Sequence, residues 1–460
     1  MEKEIKNKTP HCLVIPYPTQ GHINPMLQFS KRLLQKGIKI TLVNTISTSK
    51  TITTKNLNKS FEYETISDGF DDGGLTSAKD IDTYIDTFRR TGSQTLDQLL
   101  HKLTTTNNHV DCVIHDAFLP WIVDVANKFQ LPVAVFLTQA CSVNNINFHA
   151  FKGWLGLPLL EKEIVLPGLP KLEASDFPSF LYRYGTHPGY FDLLTNQFSM
   201  IDRVDWVLAN TFYELEQEVV EWLMKIWPLK TIGPCVPSMF LDKRLKDDNE
   251  YGGSIFAINS CIKWLDTKPK GSVVYVSFGS RSSLSEDQMN ELACGLKNCG
   301  RYFIWIVRES EKGKLREGFS ESLEKGLIVT WCQQLEVLEH EAVGCFVTHC
   351  GWNSILEALS LGVPVIAMPI WTDQITNAKL VVDVWKVGVK GVADEKGIVR
   401  SERIGECIRE MMESEKGNEM KKNAMKWMSV ARNCVDEGGT SDENIAEFVN
   451  ELTLRRRNSS

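Results

Sequence analysis

Short apolar runs rich in β-branched residues alternate with longer segments of helical periodicity through most of this chain. In the first half, the runs that predict strands are Cys12–Ile15, Ile38–Val43, Cys112–Ile114, Val133–Phe136 and Trp206–Leu208. The segment Met26–Gln35 carries apolar residues at helical spacing and predicts the first helix. This alternation is typical of a parallel sheet that is covered by helices.

The same pattern starts again in the second half. The runs that predict its strands are Ser272–Phe278, Tyr302–Val307, Leu327–Thr330, Cys345–Thr348 and Val365–Met368. Residues 236–260 lie between the halves, and their proline, paired glycines and charged stretch predict a linker or surface excursion. We therefore expect one domain over residues 1–235, a second over 261–440, and a helix and tail over 441–460 that pack back on the first domain.

The predicted fold class is α/β, with two facing, doubly wound, Rossmann-like domains. Ligands of such sheets bind beyond the carboxyl ends of the strands. Two facing domains of similar size therefore predict a cleft between them, with one ligand on each side.

Composition and charge exclude several classes of protein. The 460-residue chain has a formal net charge of −7, with 43% hydrophobic and 24% charged residues, which does not favour a nucleic-acid partner. The start of the chain lacks the pattern of a signal peptide, and no apolar run approaches the roughly 20 residues of a membrane span. The twelve cysteines contain no CxxC pair. We expect a cytoplasmic monomer with reduced thiols.

The most informative segment follows the predicted strand Cys345–Thr348. His349, Gly351 and Ser354 come next and lead into a helical pattern that contains Glu357. A glycine turn before a helix start presents free N–H groups and a partial positive charge, which favours a bound diphosphate. Glu357, three residues beyond Ser354, can accept both hydroxyls of a ribose. Taken alone, the Asn-Ser start favours a simpler alternative, an N-capped helix after a buried strand with His349 a satisfied core histidine.

Two flanking segments shift this balance toward a nucleotide site. One is Trp331–Gln334, upstream, and the other is Pro369–Gln374, after the next predicted strand. The stretch from Trp331 to Gln374 resembles the 44-residue signature box of plant family-1 UDP-dependent glycosyltransferases. The resemblance extends over essentially the whole chain and implies a GT-B fold. It also implies transfer of glucose from UDP-glucose to a small apolar acceptor.

The resemblance implies a role for each matching residue. Trp331 and the Cys332 backbone would bind uracil, and Gln334 and Glu357 would hold the ribose. Gln374 stands where the family's glucose users carry glutamine. The remaining donor-binding residues would be His349, Asn353, Ser354 and Ser280 for the diphosphate, and Trp352, Asp373, Gln374 and Thr138 for the sugar.

A candidate base lies in the first half, at His22, between the first predicted strand and the first predicted helix. Histidine has an ordinary pKa near 6.5, and Asp116, at the end of another strand, can share the same rim of the sheet. From spacing alone, a helix-capping His22 and a turn-closing Asp116 are favoured. The resemblance instead implies that His22 is the base and Asp116 its partner, with inversion at the sugar. Neighbouring His115 is the weaker partner because it points the other way along the strand.

Other chemistries lack their motifs. The chain has no G-x-G-x-x-G after its first strand, no phosphate-binding loop of NTPases and no G-x-S-x-G. Asp80-Ile81-Asp82 resembles a metal-binding pair but opens a helical pattern, where the dipole favours carboxylates, so we predict no metal. We expect no cofactor beyond UDP-glucose as co-substrate. The alternatives are a non-catalytic small-molecule carrier, or the same transferase with another UDP-sugar.

The acceptor pocket is the least determined part of the site. First-domain loops and the edge of the signature box are expected to line it, and their apolar residues fit an apolar acceptor. Each of these residues is equally compatible with a place in the core. The candidates are Phe118, Trp121, Asn144–Phe148, Phe180–Tyr184, Ile370 and Trp371.

Overall fold

Two parallel sheets organise the chain. The computed structural model describes residues 9–51, 60–106, 108–245, 258–319 and 323–459. Among these, seven strands form the first sheet, in the order β3-β2-β1-β4-β5-β6-β7. Their bounds are β1 His11–Ile15, β2 Lys39–Thr45, β3 Glu62–Ile66, β4 Cys112–Asp116, β5 Val133–Leu137, β6 Trp206–Ala209 and β7 Leu229–Thr231.

The second sheet repeats this order. Its six described strands run β10-β9-β8-β11-β12-β13, and every pair in both sheets is parallel. Each sheet therefore reverses its strand order once, the arrangement of a doubly wound Rossmann-like fold. The bounds are β8 Val273–Ser277, β9 Tyr302–Ile306, β10 Gly326–Val329, β11 Val343–Thr348, β12 Val365–Ala367 and β13 Gly388–Lys390.

Helices cover both faces of the two sheets. In the first half they are α1 Gln20–Gln35, α2 Ile46–Thr51, α3 Ile81–Thr105, α4 Ile122–Lys128, α5 Cys141–Phe151, α6 Ser179–Tyr182, α7 Pro188–Asn196 and α8 Gln217–Leu223. In the second half they are α9 Ile258–Leu265, α10 Glu286–Asn298, α11 Gln334–Glu339, α12 Trp352–Leu361, α13 Gln374–Lys379, α14 Ser401–Glu413, α15 Glu415–Val435 and α16 Thr440–Ser459. Across the described ranges, none of the helices combines the length and apolarity that crossing a membrane requires.

The sequence predicts the fold class and ten of these strands. The strands it misses are β3, β7 and β13. The first of these, Glu62–Ile66, alternates charged and apolar residues at an exposed sheet edge, and the other two have three residues each. Such short or charged edge segments give little periodic signal. Interior strands such as β5 are fully buried, and their continuous apolar runs predict them.

The start of α1 differs from the prediction. The helix begins at Gln20, six residues before the predicted Met26, so His22 lies in its first turn and not on a preceding loop. Pro25 lies inside the helix, in its second turn, where a proline removes one main-chain hydrogen bond. Pro25 has no N–H to donate to the carbonyl of Gly21, four residues earlier, so that carbonyl is available to another partner.

Part of the predicted linker is buried, while the last helix packs on the first domain as the sequence predicts. Val236 and Phe240 of the predicted linker are buried in the core that also contains Trp352. Phe448 of α16 is buried in the core of the first sheet, where its ring lies edge-on to Trp206 with centroids 5.0 Å apart. The chain therefore returns to its first sheet after completing the second.

Candidate active site

A cleft of about 440 Å³ separates the carboxyl ends of the two sheets. Its walls include the loops after β1, β4, β8 and β11, the strands at which each sheet reverses its order. The first half contributes Tyr17, His22, Phe118 and Thr138, among others. From the second half, the predicted donor-binding residues that line it are Ser280, Trp331, Cys332, Gln334, His349, Trp352, Asn353, Ser354, Glu357, Asp373 and Gln374.

Strand register brings His22 and Asp116 together. Strands β1 and β4 pair side by side, with Ile15 opposite His115, so the helix that follows β1 begins beside the last residue of β4. His22 Nδ1 lies 2.7 Å from Asp116 Oδ2, and the Asp116 side chain is fully buried. Because a carboxylate accepts the hydrogen bond, the ring carries its proton on Nδ1 and Nε2 is left as the acceptor.

The surroundings of His22 fix the ring further. The Thr138 hydroxyl lies 3.2 Å from His22 Nδ1, and the rings of Tyr17 and Phe118 lie 5.4 and 4.8 Å from the imidazole, centroid to centroid. The second oxygen of Asp116 accepts the backbone N–H of Phe118 at 2.9 Å. Residues of the first domain therefore orient both side chains of the pair.

His115 has a different environment from its neighbour in the chain. Its side chain is fully buried, and Nδ1 lies 2.8 Å from the backbone oxygen of Asp116. Burial lowers the pKa of His115 to about 4, so the ring is neutral at pH 7. It lies in the sheet interior and does not line the cleft.

The start of α12 is built to receive an anion. Its N-cap is Gly351, and no described side chain caps the helix, so its first N–H groups point into the cleft without a helical partner. His349 stands beside them. Burial lowers the pKa of His349 to about 4, so at neutral pH it offers a single N–H without a charge.

Two glycines make room for the ring of His349. A Cβ on Gly351 would lie 2.6 Å from its Nε2, and a Cβ on Gly279 would lie 2.8 Å from its Nε2 and Cε1. Gly279 also has a φ of +71°, which favours glycine. The backbone of both loops thus approaches the imidazole more closely than any other residue type allows.

A network of side chains joins the Trp331 segment to α12. Gln334 Nε2 donates to Ser354 Oγ at 3.0 Å and to Glu357 Oε2 at 2.6 Å. Tyr275, a buried residue of β8 that the sequence analysis missed, donates its hydroxyl to Gln334 Oε1 at 3.2 Å and lies 3.3 Å from Cys332 Sγ. The carboxylate of Glu357 is therefore oriented by neighbours on the cleft wall.

At the other end of the cleft lie Asp373 and Gln374. Burial raises the pKa of Asp373 to about 6, against the opposing effect of an Asn377 amide that donates to its carboxylate at 2.8 Å. Gln374 Oε1 accepts the backbone N–H groups of Ile370 and Trp371 at 3.0 and 3.1 Å. Its amide NH₂ is the part of the side chain left for a ligand.

The first two residues of α12 also reach the first domain. The indole N–H of Trp352 donates to the carbonyl of Asn210 at 2.7 Å, so this N–H is already occupied. Asn353 Nδ2 donates to the carbonyl of Gly21 at 2.7 Å, the carbonyl that Pro25 leaves without a helical donor. The candidate donor site and the turn that carries His22 are thereby tied directly to each other.

The structure divides the predicted acceptor residues. Phe118, Phe180 and Trp371 line the cleft. The others do not. Trp121 packs on Phe88, and Asn144 donates to the carbonyls of Gln139 and Ala140 just before α5. Phe148 lies among Phe198 and Trp227, and Ile370 packs against the core of the second sheet. Their assignment to the acceptor pocket stays a prediction that this arrangement does not support.

Several cleft residues escaped the sequence analysis altogether. Apolar ones carry no signal, because they follow the same periodicity as core residues. Arg281 lines the same cleft, and its positive charge lowers the pKa of Tyr17, although burial dominates and raises it. The apolar residues are Leu75, Ile81, Leu193 and Leu194, with Tyr17 and Tyr190 as aromatic members.

The Asp80 segment is a helix start. Asp80 is the N-cap of α3, and its carboxylate accepts the backbone N–H of Thr83 at 2.8 Å. Within the ranges that the structure describes, no group of three or more histidine, cysteine or carboxylate residues is arranged to hold a metal ion.

Known proteins resemble this chain over both of its domains. Residues 258–434 match the family described as UDP-glucoronosyl and UDP-glucosyl transferase. Mogroside I-E synthase of Siraitia grosvenorii is 47% identical over 95% of this chain and 97% of its own length. Flavonol 7-O-beta-glucosyltransferase UGT74F1 of Arabidopsis thaliana is 45% identical over 97% of this chain and 99% of its own length.

Solved structures show the same architecture. Os79 from O. sativa in complex with UDP superposes with a TM-score of 0.90 at 37% sequence identity, covering 96% of this chain and 100% of that one. The same protein has been solved with a trichothecene, at a TM-score of 0.88. The likeness spans both sheets and the cleft between them.

Proposed function

Because the chain belongs to the UDP-glucoronosyl and UDP-glucosyl transferase family and is a glycosyltransferase, we propose that it transfers glucose from UDP-glucose to a hydroxyl or carboxyl group of a small apolar acceptor. One observation carries this proposal: the hydrogen-bonded pair of His22 and Asp116 faces the open start of α12 across a single cleft. A base for the acceptor and a binding site for the leaving diphosphate thus lie on opposite walls.

The reaction follows from these positions. Nε2 of His22 takes the acceptor's proton, and Asp116 stabilises the imidazolium through Nδ1. The acceptor oxygen forms a bond to the anomeric carbon, and the bond from that carbon to the diphosphate oxygen breaks on the opposite face. An α-linked donor therefore gives a β-glucoside. The charge that develops on the leaving UDP is stabilised by the N–H groups at the start of α12 and by His349.

Residues along the cleft support a specific placement of the donor. Trp331 would stack on the uracil, while Glu357, oriented by Gln334, would accept the ribose hydroxyls. Asp373 and Gln374 would bind the sugar hydroxyls next to His22. The names of the relatives agree with a glucose donor and a small apolar acceptor, since one is a flavonol glucosyltransferase and Os79 has been solved with a trichothecene.

The proposal is tested by incubating the purified protein with UDP-glucose and a panel of phenols, terpenoid alcohols, steroids and aromatic acids. We expect UDP release that depends on an acceptor, and a β-configured product in its proton NMR spectrum. His22→Ala should abolish transfer to alcohols while UDP still binds. A protein that binds UDP-glucose but releases no UDP with any acceptor would be a carrier. Faster transfer from UDP-galactose would assign a different sugar.

A further inference from the structure

The residue before Asp373 has an unfavourable backbone conformation. Thr372 has a φ of +53°, and it is the β-branched member of the five non-glycine residues with positive φ in the described part of the chain. Threonine rarely adopts this left-handed region, because its branched Cβ crowds the backbone. The surrounding structure must therefore impose the conformation, and contacts to Thr372 show how it does so.

Both backbone polar groups of Thr372 are bound by one residue of the first domain. Its N–H donates to the Ser179 hydroxyl at 2.7 Å, and its carbonyl accepts the N–H of Ser179 at 3.1 Å. Ser179 is the first residue of α6 and is buried. A reciprocal pair of hydrogen bonds from a buried residue fixes both the position and the orientation of the Thr372 peptide units.

Further contacts join the same two segments. Thr376 donates its hydroxyl to the carbonyl of Asp176 at 2.7 Å, and Lys379 lies 3.3 Å from the Asp176 carboxylate. The ring of Trp371 meets the stacked pair of Phe180 and Tyr190 edge-on, at 5.9 and 5.6 Å between centroids. We call this contact between residues 176–190 and 371–379 the inter-domain seam.

The seam ends at the residues expected to meet the sugar. Thr372 directly precedes Asp373, and its side chain lowers the pKa of the Asp373 carboxyl in opposition to the dominant effect of burial. A direct chain of contacts thus runs from Ser179 through Thr372 to Asp373. Gln374 is the next residue and begins α13.

We propose that Ser179 is a positioning residue that sets the selectivity of the site for the donor's sugar. Its hydroxyl holds Thr372 in the left-handed conformation, and this conformation aims Asp373 and Gln374 at the sugar hydroxyls. Ser179 itself does not need to touch the donor. The inference rests on the proposed function only in that a UDP-hexose occupies the cleft.

The inference predicts that Ser179 affects binding of the hexose but not of the UDP part of the donor. The residues proposed to bind the uracil, ribose and diphosphate all belong to the second domain, and none of them belongs to the seam. Loss of the Ser179 hydroxyl should therefore leave UDP affinity intact. Only the additional affinity contributed by the hexose should fall. A general loss of packing at the seam would instead affect UDP and both UDP-hexoses alike.

The test measures dissociation constants of UDP, UDP-glucose and UDP-galactose by calorimetry for wild type, Ser179→Ala, Ser179→Thr and Ser199→Ala. Ser199 is a matched control, an exposed serine whose hydroxyl donates to the Asn196 carbonyl at 2.7 Å. For Ser179→Ala we expect UDP affinity within about twofold of wild type. We expect UDP-glucose affinity, and the glucose-to-galactose preference, to fall by about fivefold, the effect of one hydrogen bond.

Ser179→Thr keeps the hydroxyl, so its UDP-glucose affinity and its glucose-to-galactose preference should match wild type. Ser199→Ala should change neither quantity. The inference is overturned if Ser179→Ala keeps the wild-type preference, if UDP affinity falls in parallel with UDP-glucose affinity, or if wild type binds the two hexoses equally. This test measures binding and not turnover. If wild type prefers UDP-glucose but transfers glucose to no acceptor, the proposed function is contradicted and the inference about Ser179 is not.

Discussion

At the scale of single residues, the site depends on polar groups that are oriented before any ligand arrives. Asp116 illustrates this. One of its oxygens holds His22 at 2.7 Å and the other accepts the N–H of Phe118 at 2.9 Å, so the carboxylate cannot turn without losing a bond. The protein therefore fixes the tautomer of His22, the proposed base, through a residue that does not line the cleft.

Asp116→Asn tests this role. An amide can present an N–H to Nδ1 and so favour the wrong tautomer, with the proton on Nε2. We expect transfer to alcohols to slow by about 10²- to 10⁴-fold. Transfer to carboxylic acids, whose oxygen is already ionised at pH 7, should slow far less. The measurement compares the turnover numbers of wild type and Asp116→Asn with one alcohol and one acid acceptor. Equal losses for both would show that Asp116 acts by holding the fold and not through the base.

Asp373 gives a prediction about pH. Burial raises the pKa of its carboxyl to about 6, above the unfolded value near 3.9. Between these two pH values the folded state binds more protons than the unfolded state, so the carboxyl makes wild type less stable as pH rises through this window. Asp373→Asn removes the effect. Its free energy of unfolding relative to wild type should therefore increase from pH 4 to pH 7, by about 1 to 3 kcal/mol.

Urea unfolding at several pH values measures that difference. Asp192→Asn, at an exposed position of α7, serves as the control and should show no such trend. The gain in stability should come with weaker binding of UDP-glucose, because the charged carboxylate is the better acceptor for sugar hydroxyls. A stability difference that stays constant from pH 4 to pH 7 would contradict the raised pKa.

At the scale of elements, the start of α12 combines two requirements. The helix must present its N–H groups to an anion, and the imidazole of His349 must lie against the same turn. Gly351 meets both requirements because it has no side chain to collide with the imidazole. Its φ of −60° is one that any residue can adopt, so glycine is needed here for space and not for backbone conformation.

Gly351→Ala should therefore weaken the site without disturbing the backbone. The new Cβ would lie 2.6 Å from His349 Nε2, so the imidazole must move away from the helix start. We expect UDP to bind about tenfold more weakly, as after loss of a hydrogen bond to a charged group. The control is Gly156→Ala, where a Cβ would meet nothing within 4 Å. Calorimetry with UDP checks both variants, and wild-type affinity in Gly351→Ala would show that His349 does not need its present position.

Elements also mark how far the sequence can predict this structure. The strand-turn-helix around Gly351 was predictable because its parts are contiguous in the chain. Phe118 and Phe148 were indistinguishable as acceptor candidates, since both follow apolar patterns, yet one lines the cleft and the other is buried among aromatic rings. Tyr275 and Ser179 gave no signal at all. Their roles depend on contacts with residues 59 and 193 positions away in the chain.

At the scale of the molecule, tryptophans of the second domain tie the two halves together. Trp352 donates its indole N–H to the carbonyl of Asn210 at 2.7 Å, and Trp385 donates to the carbonyl of Leu215 at 3.0 Å. Both bonds are buried, and the two rings lie 6.0 Å apart. The first residue of α12, at the candidate diphosphate site, is thus also bonded to the first domain.

Trp352→Phe separates these contributions. Phenylalanine keeps most of the apolar contact but removes the N–H, which leaves the buried carbonyl of Asn210 without this donor, at a cost of about 1 to 3 kcal/mol. We expect faster hydrogen exchange in residues 210–216 and in α12, because local opening of the interface becomes easier. Trp264→Phe is the control, since this ring lies against Lys268 and Tyr302, both in the second half. Faster exchange in α12 with unchanged exchange in residues 210–216 would contradict this prediction. It would mean that the apolar contacts around Trp385 hold the two domains together without the indole bond.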